Sequence, residues 1–158
     1  MKIEEIIQST IALPVGRKIL LNIIYTQNSI CERFNEILKP YDLSSEQLNV
    51  LEILKDQNGI PANMCVIQEK MITKTSNTTR LVDKLLLKKL VKREVCTENR
   101  RKIDVFITQK GIEFVDEIKP KISALEEKMA HNLSPDELDN LNLLLEKYRT
   151  KKLISNHK

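Results

Sequence analysis

Apolar side chains recur every three or four residues along two long stretches near the ends of the chain. Residues 15–38 carry such a stripe and are followed by Pro40, and residues 109–129 and 135–148 carry similar stripes. This period is typical of amphipathic α-helices, whose apolar face packs against other elements. We therefore predict long helices at both ends. Pro120 should kink or divide the helix in which it lies, because proline has no amide hydrogen to donate.

Three shorter helices are predicted between the terminal ones. Ser44 and Gln47 have the spacing of a capping box, which predicts that a helix begins there. Residues 64–72 form a second, short helix, and a third helix ends near Lys88 with its polar and apolar residues on different faces. The candidate N-caps of the third helix are Thr73, Thr75 and Ser76.

Two segments that alternate apolar and polar residues follow the third helix. Residues 90–96 and 102–108 alternate as β-strands do, and residues 97–101 are predicted to form the turn between them. Three helices and a hairpin, in this order, are the elements of a winged helix-turn-helix core, in which the hairpin is the wing. The predicted fold class is mainly α with a small β-hairpin wing.

The terminal helices have apolar stripes that are too wide for a core of this size to cover. A second copy of the chain is the simplest partner that would bury them. We therefore predict a homodimer in which residues 1–40 and 109–158 form dimerisation helices and residues 41–108 form the winged helix-turn-helix core. Residues 1–158 then make a single domain, since no linker divides them.

Positive charge is concentrated on the third short helix and the hairpin. The segment from Lys70 to Lys102 contains eleven Lys or Arg residues against three Asp or Glu residues, a surplus of eight positive charges. The whole chain has a net charge of +4, so the remainder has a surplus of four negative charges. Neutralisation of DNA phosphates favours such a concentration, whereas solubility does not require it. The segment is therefore predicted to bind double-stranded DNA.

Polar side chains in the same segment are candidates for DNA contacts. Asn77 is suited to pairing with adenine, and Arg80 to pairing with guanine or a phosphate. Arg100 and Arg101 at the hairpin turn are suited to the narrow minor groove, whose negative potential attracts arginine. The alternative is that these are solvated polar faces without a ligand. The predicted DNA-binding residues are Thr75, Ser76, Asn77, Thr79, Arg80, Lys84, Arg100, Arg101 and Lys102.

The composition does not favour catalysis, a metal site or a membrane segment. Only two histidines occur and no Gly-rich phosphate loop is present, so we predict neither an enzyme nor a cofactor. The three cysteines lack the spacing of a zinc site or a disulfide framework. No apolar run is long enough to span a bilayer, and no export signal is recognisable. We therefore expect a cytoplasmic location.

Residues 43–111 resemble the MarR family, the multiple-antibiotic-resistance repressors. The resemblance rests on several short runs in the correct order and spacing, none of which is specific alone. The matching runs are Leu43-Ser44 with Gln47-Leu48, IQEKM at 67–71, SNTTRLVDKL at 76–85, LVKR at 90–93, Arg100-Arg101 and ITQKG at 107–111. With the helical ends included, the resemblance covers nearly the whole chain.

The resemblance implies a dimeric repressor that binds a pseudo-palindromic operator and can be released by an effector. In such proteins a pocket between the dimer frame and the winged core takes small aromatic or anionic molecules. The candidates for that pocket in this sequence are Arg17, Tyr25 and Tyr41.

This sequence departs from the family pattern at three places. Asn99 stands where an Asp usually pairs with the wing arginine, so Arg101 either braces the wing more weakly or is free to enter the groove. Lys89 stands where the family usually has a glycine, at a cost on the order of 1 kcal/mol if the residue is left-handed. Leu86 and Leu87 occupy positions that are more often polar, where they add packing or form an exposed patch.

Two other functions remain open. A redox- or metal-responsive regulator would use one of the cysteines, which are Cys31, Cys65 and Cys96. A winged-helix protein-interaction module would use Leu86 and Leu87 as contacts. Sensitivity to thiol modification would indicate the first alternative, and an affinity for duplex DNA that falls steeply with salt would exclude the second.

Overall fold

The computed structural model describes residues 1–74, 77–95 and 103–150. These residues form two compact units, residues 1–121 and the residues from 122 onward. The elements in chain order are α1 (Ile3–Ile6), α2 (Val15–Leu38), a 3₁₀ turn (Lys39–Tyr41), α3 (Ser45–Asp56), β1 (Ala62–Asn63), α4 (Met64–Lys70), α5 (Thr78–Leu87), β2 (Val91–Val95), β3 (Ile103–Ile107), α6 (Gln109–Ala130) and α7 (Pro135–Arg149).

The described part of the chain is mainly helical with one small antiparallel sheet, which confirms the predicted fold class. The strand order is β1-β3-β2, and β2 pairs with β3 from Val91↔Ile107 to Val95↔Ile103. The alternating pattern does not predict β1, because its two residues are too few to show a period. β1 lies on the other edge of β3 and so joins the wing to the start of α4.

The core of the first unit lies among α3, α4, α5 and the sheet. α3 begins at the predicted capping box, in which Ser44 Oγ accepts from Gln47 N and Gln47 Oε1 accepts from Ser44 N. Apolar residues at helical spacing then point inward from each helix, and strand residue Val105 meets them from the sheet. The fully buried side chains include Leu38, Leu51, Leu54, Ile67, Val82, Leu85 and Val105.

The long helices largely follow the predicted pattern. α2 has the predicted bounds, and α7 begins at a second capping box formed by Ser134 and Glu137. α6 continues through Pro120 as one element, so of the two expected effects, a kink or a division, the division does not occur. Proline removes only one donated hydrogen bond, and good helix formers lie on both sides of it. No helix in the described ranges is long and apolar enough to cross a membrane.

α5 begins later than predicted. Its N-cap is Asn77, whose Oδ1 accepts from Arg80 N at 3.2 Å. Thr73 precedes the helix by several residues and does not cap it, and Thr75 and Ser76 lie outside the described residues. Asparagine is as good an N-cap as serine or threonine, so composition alone does not decide among neighbouring cap residues.

A tight turn joins α5 to β2. Lys89 has a φ of 59°, Lys89 N donates to Leu86 O, and Leu90 N donates to Leu85 O. Lys89 is therefore in the left-handed region, as expected for a position where the family usually has a glycine. A residue with a Cβ is strained there, because the Cβ approaches the following carbonyl oxygen.

Gly111 allows the first turn of α6 to approach the start of β2. A Cβ on Gly111 would lie 2.7 Å from Ile107 Cγ1 and still closer to the backbone oxygen of Leu90. The backbone oxygen cannot move without shifting the strand. Contact between α6 and the base of the wing therefore requires that residue 111 have no side chain.

We expect Lys89→Gly to stabilise the protein. Relief of left-handed strain contributes about 1–2 kcal/mol, and the greater freedom of glycine in the unfolded chain offsets about 0.5–1 kcal/mol of it. A net gain of up to about 1 kcal/mol raises the thermal midpoint by about 2–4 °C in a chain of this size. Calorimetry measures the midpoint. The matched control is Lys89→Ala, which keeps the Cβ and should show no gain. A midpoint for Lys89→Gly below that of wild type would contradict the presence of strain at this residue.

Candidate nucleic-acid interface

α5 has one buried face and one exposed face. Thr78, Val82 and Leu85 are buried and fix the helix to the core. The predicted contact residues that the structure describes are Asn77, Thr79, Arg80 and Lys84, and all four are exposed. Within the described ranges, neither Arg80 nor Lys84 forms a salt bridge. The helix thus presents uncovered polar and cationic groups on a rigidly packed support.

Asn77 also has a structural role that the sequence pattern does not predict. Its Oδ1 accepts the hydrogen bond from Arg80 N that begins α5. A carboxamide oxygen has a second lone pair and the NH₂ group has two donors, so capping and a base contact are compatible. The cap also fixes the orientation of the side chain at the point where the helix starts.

Five of the nine predicted contact residues lie outside the described ranges. These residues are Thr75, Ser76, Arg100, Arg101 and Lys102. Asn99, on which the bracing role of Arg101 depends, lies outside them as well. The pairing of β2 with β3 is described as far as Val95↔Ile103.

Arg93 on β2 is a positioning residue that the sequence analysis missed. Its Nη1 lies 2.6 Å from Asp83 Oδ1, and its Nη2 donates to Thr79 O at 3.5 Å. Asp83 and Thr79 both belong to α5, so this guanidinium ties the first strand of the wing to the middle of the helix. The sequence signal that could have indicated this pair is an acidic residue, Asp83, on an otherwise basic helix, ten residues before Arg93 on the following strand.

Lys88 holds the C-terminal end of α5. Its Nζ donates to Asp42 Oδ2 at 2.7 Å and to Tyr41 O at 3.3 Å. Lys110 Nζ, on α6, donates to Lys88 O at 3.1 Å. The hydrogen bond from Lys88 also lowers the pKa of the Asp42 carboxyl below its ordinary value. The end of α5 is therefore linked to the segment after α2 and to α6.

Tyr41 is the one predicted effector residue that lines a cavity described in the first unit. The cavity has a volume of about 430 Å³, and Arg17 and Tyr25, which are exposed on α2, do not line it. The Tyr41 ring meets Phe114 edge to face at 5.2 Å between ring centroids. The cavity is lined by Tyr41, Leu43, Leu87, Lys88, Lys89, Leu90, Lys110 and Phe114.

The hydroxyl of Tyr41 belongs to a polar cluster on α6. It donates to Glu117 Oε1 and accepts from Lys121 Nζ. The hydrogen bond from Tyr41 lowers the pKa of Glu117, and the bond to Tyr41 raises the pKa of Lys121. These two hydrogen bonds hold the hydroxyl of Tyr41, and with it the ring, at the cavity wall.

The residues of the alternative functions can also be located. Cys31 and Cys65 are exposed free thiols, and Cys96 lies outside the described ranges. Among the described residues, no group of His, Cys, Asp or Glu is arranged to hold a metal ion. Leu86 is half-buried, whereas Leu87 is 84% exposed and lies at the mouth of the Tyr41 cavity.

Comparisons with known proteins agree with this fold. A model of the MarR family matches residues 43–103. The HTH-type transcriptional regulator MgrA of Staphylococcus aureus is 30% identical over 115 residues, which are 72% of this chain and 74% of that protein. The uncharacterized HTH-type transcriptional regulator YkoM of Bacillus subtilis is 32% identical over 120 residues, covering 75% of this chain and 76% of its own.

Solved structures show the same fold at lower identity. An organohalide-sensing transcriptional regulator in its 2,4-dichlorophenol-bound form has a TM-score of 0.79 at 17% identity, over 87% of this chain and 81% of its own. A cysteine-to-serine mutant of MarR from E. coli, complexed with operator DNA, has a TM-score of 0.72 at 23% identity, over 87% and 95% of the chains. The relatives are transcriptional regulators, which confirms the prediction that the chain is not an enzyme. The chain belongs to the MarR family of winged helix-turn-helix transcriptional regulators.

Proposed function

We propose that this regulator is a cytoplasmic homodimeric repressor that occupies a pseudo-palindromic operator. The observation that carries the proposal is the exposed face of α5, where Asn77, Arg80 and Lys84 are uncovered on a helix whose opposite face is packed. The segment of the chain that contains this helix, from Lys70 to Lys102, has a surplus of eight positive charges. Shape and charge both suit the major groove of duplex DNA.

Each proposed contact has a defined chemistry. Arg80 pairs with guanine or a phosphate, Asn77 pairs with adenine, and Lys84 neutralises a phosphate. The wing arginines, Arg100 and Arg101, enter the flanking minor groove. The remaining proposed contacts to base edges or the backbone are Thr75, Ser76, Thr79 and Lys102. The similarity of the fold to a MarR protein that was solved with operator DNA supports this mode of binding.

Dimerisation is proposed because the terminal helices leave apolar side chains uncovered. No residue of α7 is buried, and Leu143 and Leu144 are 60% and 61% exposed. Ile19, Leu20 and Ile24 on α2 are exposed as well. A twofold dimer would cover these side chains and present two copies of α5 to half-sites about one helical turn apart.

We further propose that a small aromatic anion binds in the cavity beside Tyr41 and releases the DNA. Tyr41 and Phe114 supply aromatic walls, and Lys88 and Lys110 supply positive charge. Both lysines are also the links that hold the C-terminal end of α5. An anion that engages them competes with those links and so alters how α5 is held. The fold is shared with a regulator whose structure holds 2,4-dichlorophenol, which supports a ligand of this class.

The DNA-binding proposal is tested on duplexes that the full chain selects from a random pool. If a dimer contacts about six to ten phosphates, affinity should fall roughly 10³- to 10⁵-fold between about 50 and 200 mM salt. Arg80→Ala should cost about 1–3 kcal/mol per half-site on the selected duplex and less on random duplex. Fluorescence anisotropy measures both. Lys119→Ala removes an exposed charge outside the basic segment and is the control. An affinity that does not respond to salt would favour the protein-interaction alternative.

The dimer proposal is tested by light scattering. The full chain should have the mass of two copies, and a chain that lacks residues 134–158 should be monomeric or aggregated because one of the apolar surfaces proposed to form the dimer is removed. A chain without residues 151–158 only is the control for truncation and should remain dimeric. A monomeric full chain at micromolar concentration would overturn the proposal.

The effector proposal is tested with 2,4-dichlorophenol and benzoate as probes. Either probe should weaken binding to the selected duplex by about 5- to 150-fold, the usual range of coupling between two sites. Lys110→Met should abolish the response to the probes, because it removes one cationic wall of the cavity. Lys119→Met removes a lysine that does not line the cavity and should leave the response intact. A response that survives in the Lys110 variant would place the effector elsewhere.

A further inference from the structure

The N-terminal turn of α3 and the exposed face of α5 form the walls of one groove. Its volume is about 290 Å³. The lining residues are Ser44, Glu46, Gln47, Asn77, Arg80, Leu81 and Lys84. Three of the residues proposed to contact DNA therefore share a groove with the first turn of α3, which has so far only a structural role.

Gln47 carries an unused hydrogen-bond donor in this groove. Its side chain is 3% exposed, and its Oε1 accepts from Ser44 N at 2.9 Å in the capping box. Its Nε2 has no hydrogen-bond partner among the described residues. A buried amide hydrogen without a partner is costly and uncommon in folded proteins. Gln47 lines the groove, so a ligand oxygen bound there would satisfy the buried donor after a small movement of the lining side chains.

The charges around the groove favour an anion. Arg80 and Lys84 line it and form no salt bridge within the described ranges. The first turn of α3 adds the partial positive charge of a helix N-terminus, where backbone N–H groups point outward. The carboxylate of Glu46 lies on the same wall and opposes an anion. Two full positive charges and the helix end exceed that single negative charge.

We propose that this groove binds one non-bridging phosphate oxygen of the DNA backbone, with Gln47 Nε2 as a donor and Lys84 as the neutralising cation. The proposal rests on the DNA-binding function proposed above. A helix that lies in the major groove brings its neighbouring elements against the phosphates that border the groove. Gln47 would thus be a DNA-contacting residue in addition to those on α5 and the wing, one that fixes the depth of α5 without reading a base.

The substitution Gln47→Glu removes the Nε2 donor and keeps the capping hydrogen bond to Ser44 N. A glutamate oxygen accepts from Ser44 N as the glutamine oxygen does, and Glu137 already fills this position in the capping box of α7, where its Oε2 accepts from Ser134 N at 2.8 Å. The substitution keeps the cap but places a negative charge where Nε2 would donate. We expect a lower thermal midpoint, because residue 47 is buried whereas Glu137 is exposed, and about tenfold weaker binding to the selected duplex per bound subunit. Glu137→Gln, the reverse exchange at α7, is the matched control and should leave DNA binding unchanged.

A scan of the DNA backbone locates the contact. Single phosphates of the selected duplex are replaced by uncharged methylphosphonates, one position at a time, and each duplex is measured with wild type and with Gln47→Glu. One position in each half-site should weaken the wild type and leave the variant almost unaffected, because the variant has already lost that contact. The comparison is made within each protein, so it remains valid even if the variant is less stable.

Other outcomes distinguish a failure of the phosphate contact from a failure of the DNA-binding function. If wild type binds DNA and Gln47→Glu binds equally well with the same scan, the phosphate contact is wrong and the DNA-binding function stands. If wild type binds no duplex, the proposed function fails first. Inorganic phosphate tests whether the groove binds a free anion instead of the DNA backbone. In one outcome phosphate, compared with chloride at equal ionic strength, raises the thermal midpoint of wild type but not that of Gln47→Glu, and the two proteins have identical DNA scans. That outcome would show a site for free anions and overturn the backbone contact.

Discussion

The DNA-facing surface depends on how α5 is held, because this helix must be fixed from one side while its other side stays uncovered. Packing of Thr78, Val82 and Leu85 provides the apolar part of that support. Two polar links complete it, since Arg93 ties the middle of the helix to β2 and Lys88 ties its end to Asp42. Neither link uses the side chain of Asn77, Arg80 or Lys84, so these groups stay available to a ligand while the helix is held.

The junction between α5 and β2 shows how close packing limits the choice of residues. The chain must reverse within a few residues after the helix, and Lys89 takes the left-handed conformation that this reversal requires. The first turn of α6 packs against the same point, where the Leu90 oxygen leaves no room for a side chain on Gly111. One strained residue and one obligatory glycine therefore place the wing, α5 and α6 in a fixed relation within the first unit.

Patterns that repeat along the chain were predictable, and single contacts between distant residues were not. Helical periodicity and the two capping boxes located α2, α3 and α7 closely, and the resemblance to the family pointed to the left-handed position at Lys89. β1 was missed because two residues carry no period. The Arg93–Asp83 pair was missed because it depends on which face of a strand meets which face of a helix. The unpaired donor of Gln47 is likewise invisible in a sequence that shows only a good capping box.

The basic segment also shows why counting charges does not identify the contact residues. Long-range attraction of DNA depends on the net surplus of the whole segment. Direct contact depends instead on which cations are unpaired, and Lys88, Lys92 and Arg93 are each paired with a carboxylate. Arg80 and Lys84 come from the same run of basic residues but have no such partner within the described ranges. The fold therefore divides one stretch of positive charge into residues that hold the helix and residues that remain available to a phosphate or a base.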